Sequence, residues 1–143
     1  MALTQQDKDD IVELVARYNW HIDHWEAEEW ADLFTEDGVL IAGGTERCRG
    51  RAARTEYVAV RRRTGKPKIR HWAGNFIIDG DGATARLRCY VKAYLIDDGL
   101  GAPYVMGEYD DTLTKIDGKW KFVERRMTTA AGGSATANLA TKG

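Results

Sequence analysis

Three histidines, His21, His24 and His71, are the residues from which proton-transfer or metal chemistry would have to be built, together with whichever carboxylates the fold brings to them. An imidazole titrating near pH 6.5 is the side chain best suited to take and return a proton near neutrality. His21 and His24 stand three apart with Asp23 between them, a spacing that could begin a metal site. His71 lies far downstream, so only the tertiary fold can bring it to Asp23. If it does, Asp23 accepts one ring N–H of His71, sets its tautomer and stabilises the imidazolium formed when the other nitrogen takes a proton. The plain alternative is a surface Asp and a strand His tied to backbone.

The element that would position Asp23 is the first helix. Thr4 caps it, and Asp7, three residues on, faces the free N–H groups of its first turn. At roughly 100° per residue, Ile11, Leu14, Val15, Tyr18, Ile22 and Trp25 form one stripe, and Glu13, Arg17, His21 and His24 lie opposite. Asn19 and Asp23 border the stripe. The wheel therefore predicts solvent-facing His21 and His24 and an Asp23 at the edge of the interior, where a carboxylate needs a partner. A metal held by both histidines would require the polar face to turn inward and expose Leu14, Ile22 and Trp25, at about 1.5 to 3 kcal/mol for each large side chain. No metal is expected.

Further along, Glu26 to Thr35 reads as a second helix with Trp30, Leu33 and Phe34 inward, ended by Asp37-Gly38. Val39 to Ala42 is a short strand closed by Gly43-Gly44. Gly50 to Thr64 is a third helix with Ala53, Tyr57 and Val60 on its apolar side, stopped by Gly65 and Pro67. The period then changes to two: Lys68 to Ile78, Ala83 to Ile96, Pro103 to Lys115 and Trp120 to Thr128 are strands, separated by Asp-Gly turns that favour antiparallel hairpins. Helices followed by a meander predict an α+β sheet curled around its helices. Residues 1–129 form one domain, and 130–143, rich in Ala, Gly, Ser and Thr, a flexible tail or lid.

At 143 residues, 43% hydrophobic and 30% charged with a formal net charge of −1, the chain has the composition of an ordinary globular domain, with no global reason to bind nucleic acid or a membrane surface. The N-terminus lacks the basic start and apolar core of a signal peptide, and no run approaches the roughly 18 apolar residues of a membrane span, so a cytoplasmic protein is expected. Cys48 and Cys89 lack CxxC spacing and read as free thiols. The basic run Arg61-Arg62-Arg63 sits where cations suit a helix C-terminus and reads as a solvated face, because three consecutive arginines cannot all address one ligand. Arg86, Arg88, Tyr90, Lys92 and Tyr94 alternate onto one sheet face that is neither plainly solvent nor core, which suggests a homo-oligomer.

Arg17-Tyr18, Asp23, the run Trp30 to Gly38, Arg70-His71 with Asn75, Asp117 to Phe122, and Arg125-Arg126 together resemble the SnoaL-like branch of the nuclear-transport-factor-like superfamily. The resemblance implies a cone-shaped barrel: a strongly bent mixed, mostly antiparallel sheet wrapped around three N-terminal helices, with an apolar pocket open at one end. The pattern is similar to the subgroup containing scytalone dehydratase, bile-acid 7α-dehydratase and hexachlorocyclohexane dehydrochlorinase. It implies an Asp23–His71 general-base dyad, with Tyr18 polarising the substrate. No second pocket tyrosine stands between Val39 and Ala42, as it would in scytalone dehydratase. Asn75 and Asn19 are candidates for positioning the substrate, and Trp25, Trp30 and Tyr57 for lining its pocket. The implied activity is a cofactor-independent dehydratase-type elimination on a small hydrophobic cyclic or aromatic substrate. A polyketide cyclase or isomerase using the same dyad, and a non-catalytic ligand-binding domain, are the alternatives. The relatives also imply a trimer, or else a dimer.

Overall fold

The computed structural model describes residues 2–97 and 99–132. Helix α1 (Gln5–Asp23) begins with the expected reciprocal cap: Thr4 Oγ1 accepts from the Asp7 N–H at 3.0 Å, and Asp7 Oδ2 accepts from the Thr4 N–H at 2.9 Å. Asp7 also accepts from Lys115 and from the Trp120 indole, which ties the helix start to the far end of the sheet. These bonds, led by the Thr4 backbone N–H, hold the Asp7 carboxyl well below the usual carboxylate range. The buried face of α1 is Ile11, Leu14, Val15, Tyr18 and Ile22, bordered by Asn19 and Asp23, as the wheel predicts.

The second helix is shorter than its pattern suggests. It spans α2 (Ala27–Ala31), and the chain turns extended at β1 (Phe34–Ala42), so Asp37-Gly38 lies inside a strand instead of ending a helix. Tertiary pairing overrides helical spacing here: Phe34 lies opposite Phe122 in the sheet and joins an aromatic cluster with Trp30 and Tyr18. Gly38 is required in this irregular stretch, since a Cβ there would stand 2.7 Å from Phe34 Cβ and 2.9 Å from the Thr35 carbonyl oxygen. Strand β2 (Thr45–Arg49), which the sequence reading passed over, forms a hairpin with β1 through Gly43-Gly44.

Helix α3 (Arg51–Thr64) ends at Gly65 in the left-handed conformation, φ +70°. Its buried residues are Arg54, Val58 and Ala59, with Tyr57 half-buried, whereas Ala53 and Val60 are exposed. Arg54 explains this rotation of the helix. Its guanidinium donates to the carbonyls of Ala31, Glu36 and Gly38, which ties the end of α2 to the bend of β1.

Strands β3 (Ile69–Gly80), β4 (Thr84–Leu95), β5 (Ala102–Ile116) and β6 (Lys119–Gly132) form the expected antiparallel meander. β1 adds to β6 in parallel, giving one open six-stranded sheet in the order β2-β1-β6-β5-β4-β3. The fold is thus α+β, with a mixed, mostly antiparallel sheet and three helices. β6 extends through Gly132, so the expected tail begins as strand, and residues 133–143 lie outside those described. The core lies between α1 and the concave sheet face and includes Ile11, Val15, Trp30, Phe34, Leu87, Leu113 and Phe122. Among the described residues no helix is long and apolar enough to cross a membrane. Cys48 and Cys89 are free and buried, and burial pushes each thiol up to about 11, which keeps them protonated.

Candidate active site

α1 ends at Asp23, and the free edge of β3 passes beside that end, so the carboxylate meets His71 across the gap. Asp23 Oδ1 lies 2.5 Å from His71 Nδ1, and Oδ2 accepts the His71 backbone N–H at 2.8 Å. One residue therefore engages both oxygens, by its ring and its backbone, which fixes where the imidazole sits and how it is turned. An ionised carboxylate only accepts, so Nδ1 carries the proton and Nε2 is the nitrogen with a free lone pair. Asp23 is almost sealed, with 5% of its side chain exposed, whereas 17% of the His71 side chain remains accessible.

Two cavities meet at this pair. The inner one, about 210 Å³, lies within the curve of the sheet and is lined by Tyr18, Ile22, Tyr57, Arg61, Tyr104, Tyr109 and Met127 as well as Asp23 and His71. The outer groove, about 480 Å³, runs between the flank of α1 and β3 and includes Asn19, Trp20, Ala73 and Phe76 with the same Asp and His. Tyr18 and Asp23 are about 140° apart on an ideal wheel. They share a cavity because it wraps around the last turn of α1.

Tyr18 is 2% exposed. Burial raises its phenol far above the ordinary tyrosine range, and its ring meets that of Tyr109 edge-on with centres 6.1 Å apart. Burial also pushes Tyr109 up to about 12, against the pull of the neighbouring Arg125. Both phenols stay protonated near neutrality, so they can donate hydrogen bonds to an oxygen that gains charge but do not serve as bases. Arg125 lies behind them. Its guanidinium carbon is 3.4 Å from the Tyr109 ring centre and 4.2 Å from that of Tyr18. Its Nε is 3.3 Å from Asp111 Oδ2, and both side chains are fully buried. Burial raises the Asp111 carboxyl to about 7, with Arg125 opposing the shift.

The other anticipated residues are dispersed. Tyr57 lines the inner cavity, stacked on Trp30 at 5.6 Å. Trp30 is wholly buried behind it, and Trp25, half-buried with φ 58° at the turn after α1, packs on the core; neither lines a described cavity. Asn19 is buried and borders the outer groove, where its Oδ1 has no hydrogen-bond partner. Asn75 sits with φ 60° on the bulge of β3, exposed, and lines surface hollows away from the inner cavity. The bulge turns its side chain out of the strand's inward alternation.

His24 is exposed, stacked on Trp20 with Nδ1 on the Trp20 carbonyl, as the wheel predicts. His21 corrects it: only 17% of its side chain is exposed, because it folds back onto Glu26, with Nδ1 to Oε1 at 3.0 Å. Among the described residues no three His, Cys, Asp or Glu side chains converge as a metal set would. Sequence reasoning missed Tyr109 and Tyr104 as cavity residues and the pair Asp111–Arg125 beneath them. A signal existed for two of these, since the alternation Gly107, Tyr109, Asp111, Leu113 puts an aspartate on the inward face of β5.

Similar folds are found among solved structures. A protein of unknown function with a cystatin-like fold from Nostoc punctiforme is 26% identical, with a TM-score of 0.82 over 94% of this chain and 99% of that one. A function-unknown protein from Mycobacterium tuberculosis is 31% identical, with a TM-score of 0.79 over 94% of this chain and 80% of that one. A candidate scytalone dehydratase from Novosphingobium aromaticivorans is 28% identical, with a TM-score of 0.75 over 87% of this chain and 85% of that one. No curated protein matches the chain. Residues 4–126 match the SnoaL-like domain, nearly the whole of the described chain, and the protein belongs to that family.

Proposed function

We propose that the protein is a cofactor-independent lyase that eliminates water from a small, hydrophobic cyclic or aromatic substrate. The observation that carries this reading is the Asp23–His71 pair on the wall of a cavity that also holds the Tyr18–Tyr109 phenols. His71 Nε2 removes a proton from the carbon next to a substrate carbonyl, and Asp23 stabilises the imidazolium that results. The carbonyl oxygen gains charge and takes a hydrogen bond from the phenol pair. The carbon–carbon double bond then forms as the β C–O bond breaks, and the imidazolium returns its proton to the departing hydroxyl, which leaves as water. Each atom moved belongs to the substrate, and the chain supplies only proton transfer and donors.

The test is turnover of small cyclic β-hydroxy carbonyl compounds followed by mass spectrometry, with loss of one water expected. A product of unchanged mass would move the reading to an isomerase or cyclase working through the same enolate. Binding without turnover of any such compound would favour a ligand-binding domain. We further propose a homo-oligomer, with a trimer preferred. Trp72, Tyr90 and Met106 lie 55%, 57% and 56% exposed around one hollow on the face of β3, β4 and β5 away from the core, a patch that supports association. A monomer in light scattering at micromolar concentration would refute it.

A further inference from the structure

The run Arg61-Arg62-Arg63 reads in the sequence as one solvated face, but the structure divides it. Successive helical residues point roughly 100° apart, so the three side chains leave α3 in different directions. Arg62 pairs with Glu28 at 3.8 Å and reaches the Trp25 carbonyl. Arg63 pairs with both carboxylate oxygens of Glu56. Arg61 turns inward, half-buried, donates from Nη1 to the Tyr57 carbonyl, lies over the Tyr57 ring at 4.2 Å and borders the inner cavity. Among the described residues it has no carboxylate within ion-pair distance. The carboxylate that shares the cavity with it, Asp23, has both oxygens engaged by His71.

We propose that the inner cavity takes a small cyclic or aromatic acid, and that Arg61 recognises its carboxylate. The proposal rests on reading this cavity as the substrate site. A helix C-terminus favours any cation and the Tyr57 carbonyl accepts from Arg61, but neither supplies the counter-charge that Glu28 gives Arg62 and Glu56 gives Arg63. The guanidinium stays charged at every physiological pH, and with Nη1 on the Tyr57 carbonyl its Nε–Nη2 edge fits a carboxylate with two parallel hydrogen bonds. The Tyr57 ring and carbonyl together hold the guanidinium in place, which reduces the ordering cost of binding.

The cavity also has a direction. Tyr18 and Tyr109, at 2% and 5% exposure, form its sealed end, whereas Tyr104, 38% exposed, lies on the open side with half-buried Arg61. An acid entering ring first would leave its carboxylate against Arg61 and bring its ring between His71 and the phenols. At about 210 Å³ the cavity is smaller than the roughly 300 Å³ at which drug-sized pockets begin, enough for one ring or two fused rings.

The test is titration calorimetry with benzoate and 1-naphthoate against their uncharged amides. The wild-type protein should bind the better acid at least tenfold more tightly than its amide, a difference of about 1.4 kcal/mol. Arg61→Met, which keeps the aliphatic stem on Tyr57, should erase that preference; Arg61→Lys should keep part of it, and Arg62→Met should leave it unchanged. Equal affinity of the wild-type protein for acid and amide, no measurable binding of either acid at millimolar concentration, or a preference that survives in folded Arg61→Met would each overturn the assignment. Should Arg61→Met not fold, the wild-type comparison and Arg61→Lys decide it. Wild-type turnover separates this proposal from the lyase reading: acid preference with no turnover of any cyclic β-hydroxy carbonyl compound would fault the chemistry alone, and turnover of neutral substrates with no preference for an acid would fault the acid alone.

Discussion

Asp23 with His71 and Asp111 with Arg125 both withdraw a carboxylate and a basic partner from water, and they do so in contrasting ways. The first pair has good geometry and an outlet: both Asp23 oxygens are engaged, and His71 remains partly accessible between two cavities. The second has neither. Arg125 and Asp111 are sealed, their nearest contact is 3.3 Å, and no hydrogen bond of good geometry reaches either Asp111 oxygen. What compensates Arg125 is the set of rings beneath it, Tyr109, Tyr18 and Phe122, the last at 4.7 Å. An acid–base pair meant to exchange a proton needs satisfied partners and a route to the substrate. A charge that only shapes the field and packing of the cavity floor needs neither, and Asp111 shows the cost of burial in a carboxyl raised to about 7.

The comparison breaks most sharply under substitution. Arg125→Ala should cost about 3 to 5 kcal/mol in chemical denaturation, because it empties a volume among three rings and removes the partner of a buried acid. His71→Gln should leave unfolding nearly unchanged while turnover falls by roughly 10² to 10⁴, measured as kcat on a confirmed substrate. Asp23→Asn should lose comparable activity by favouring the other tautomer. Equal stability losses for Arg125→Ala and His71→Gln would erase the proposed division of labour.

A titration sharpens the same contrast. Because the folded-state pKa of Asp111 is raised above its ordinary value of 3.8, the folded protein binds more protons than the unfolded chain between about pH 4 and 7. Its contribution to stability is therefore fully present below pH 4 and is lost as pH rises through 7. Relative to the parent, Asp111→Asn should gain stability with rising pH across that window and level off above it; a constant difference would contradict the raised value. Asp7 runs the other way, since its carboxyl is depressed, and its contribution is present above pH 4 and lost as the solution is acidified. Tyr18→Phe should lower kcat with a stability change of about 1 kcal/mol or less, because only the hydroxyl is removed and the ring packing is kept. The smallest effect is expected for His21→Ala, whose imidazole meets Glu26 on the far side of α1 and whose loss should leave turnover near wild type.

Local and periodic features were legible in the chain itself. Thr4 and Asp7 announce the start of α1, the wheel puts Asp23 at the edge of the buried stripe, and the Asp-Gly turns divide the last four strands. These follow from hydrogen-bonding and steric preferences of residues a few positions apart, which no distant contact needs to complete. The wheel failed where a distant or irregular contact prevailed: Phe34 left a helical pattern to pair with Phe122, Arg54 displaced Ala53 from the buried face of α3, and the bulge at Gly74–Ile77 turned Asn75 outward. The candidate site divides in the same way. Asp23, His71 and Tyr18 could be nominated from position and resemblance, but the 2.5 Å contact, the phenol pair, Arg125 beneath it and the inward turn of Arg61 depend on strands that approach only when the sheet curls around α1. Residue type and period determined which groups were available; packing of the open sheet against the helix decided which of them meet and which remain in reach of a substrate, because burial and partnership are properties of the packed whole.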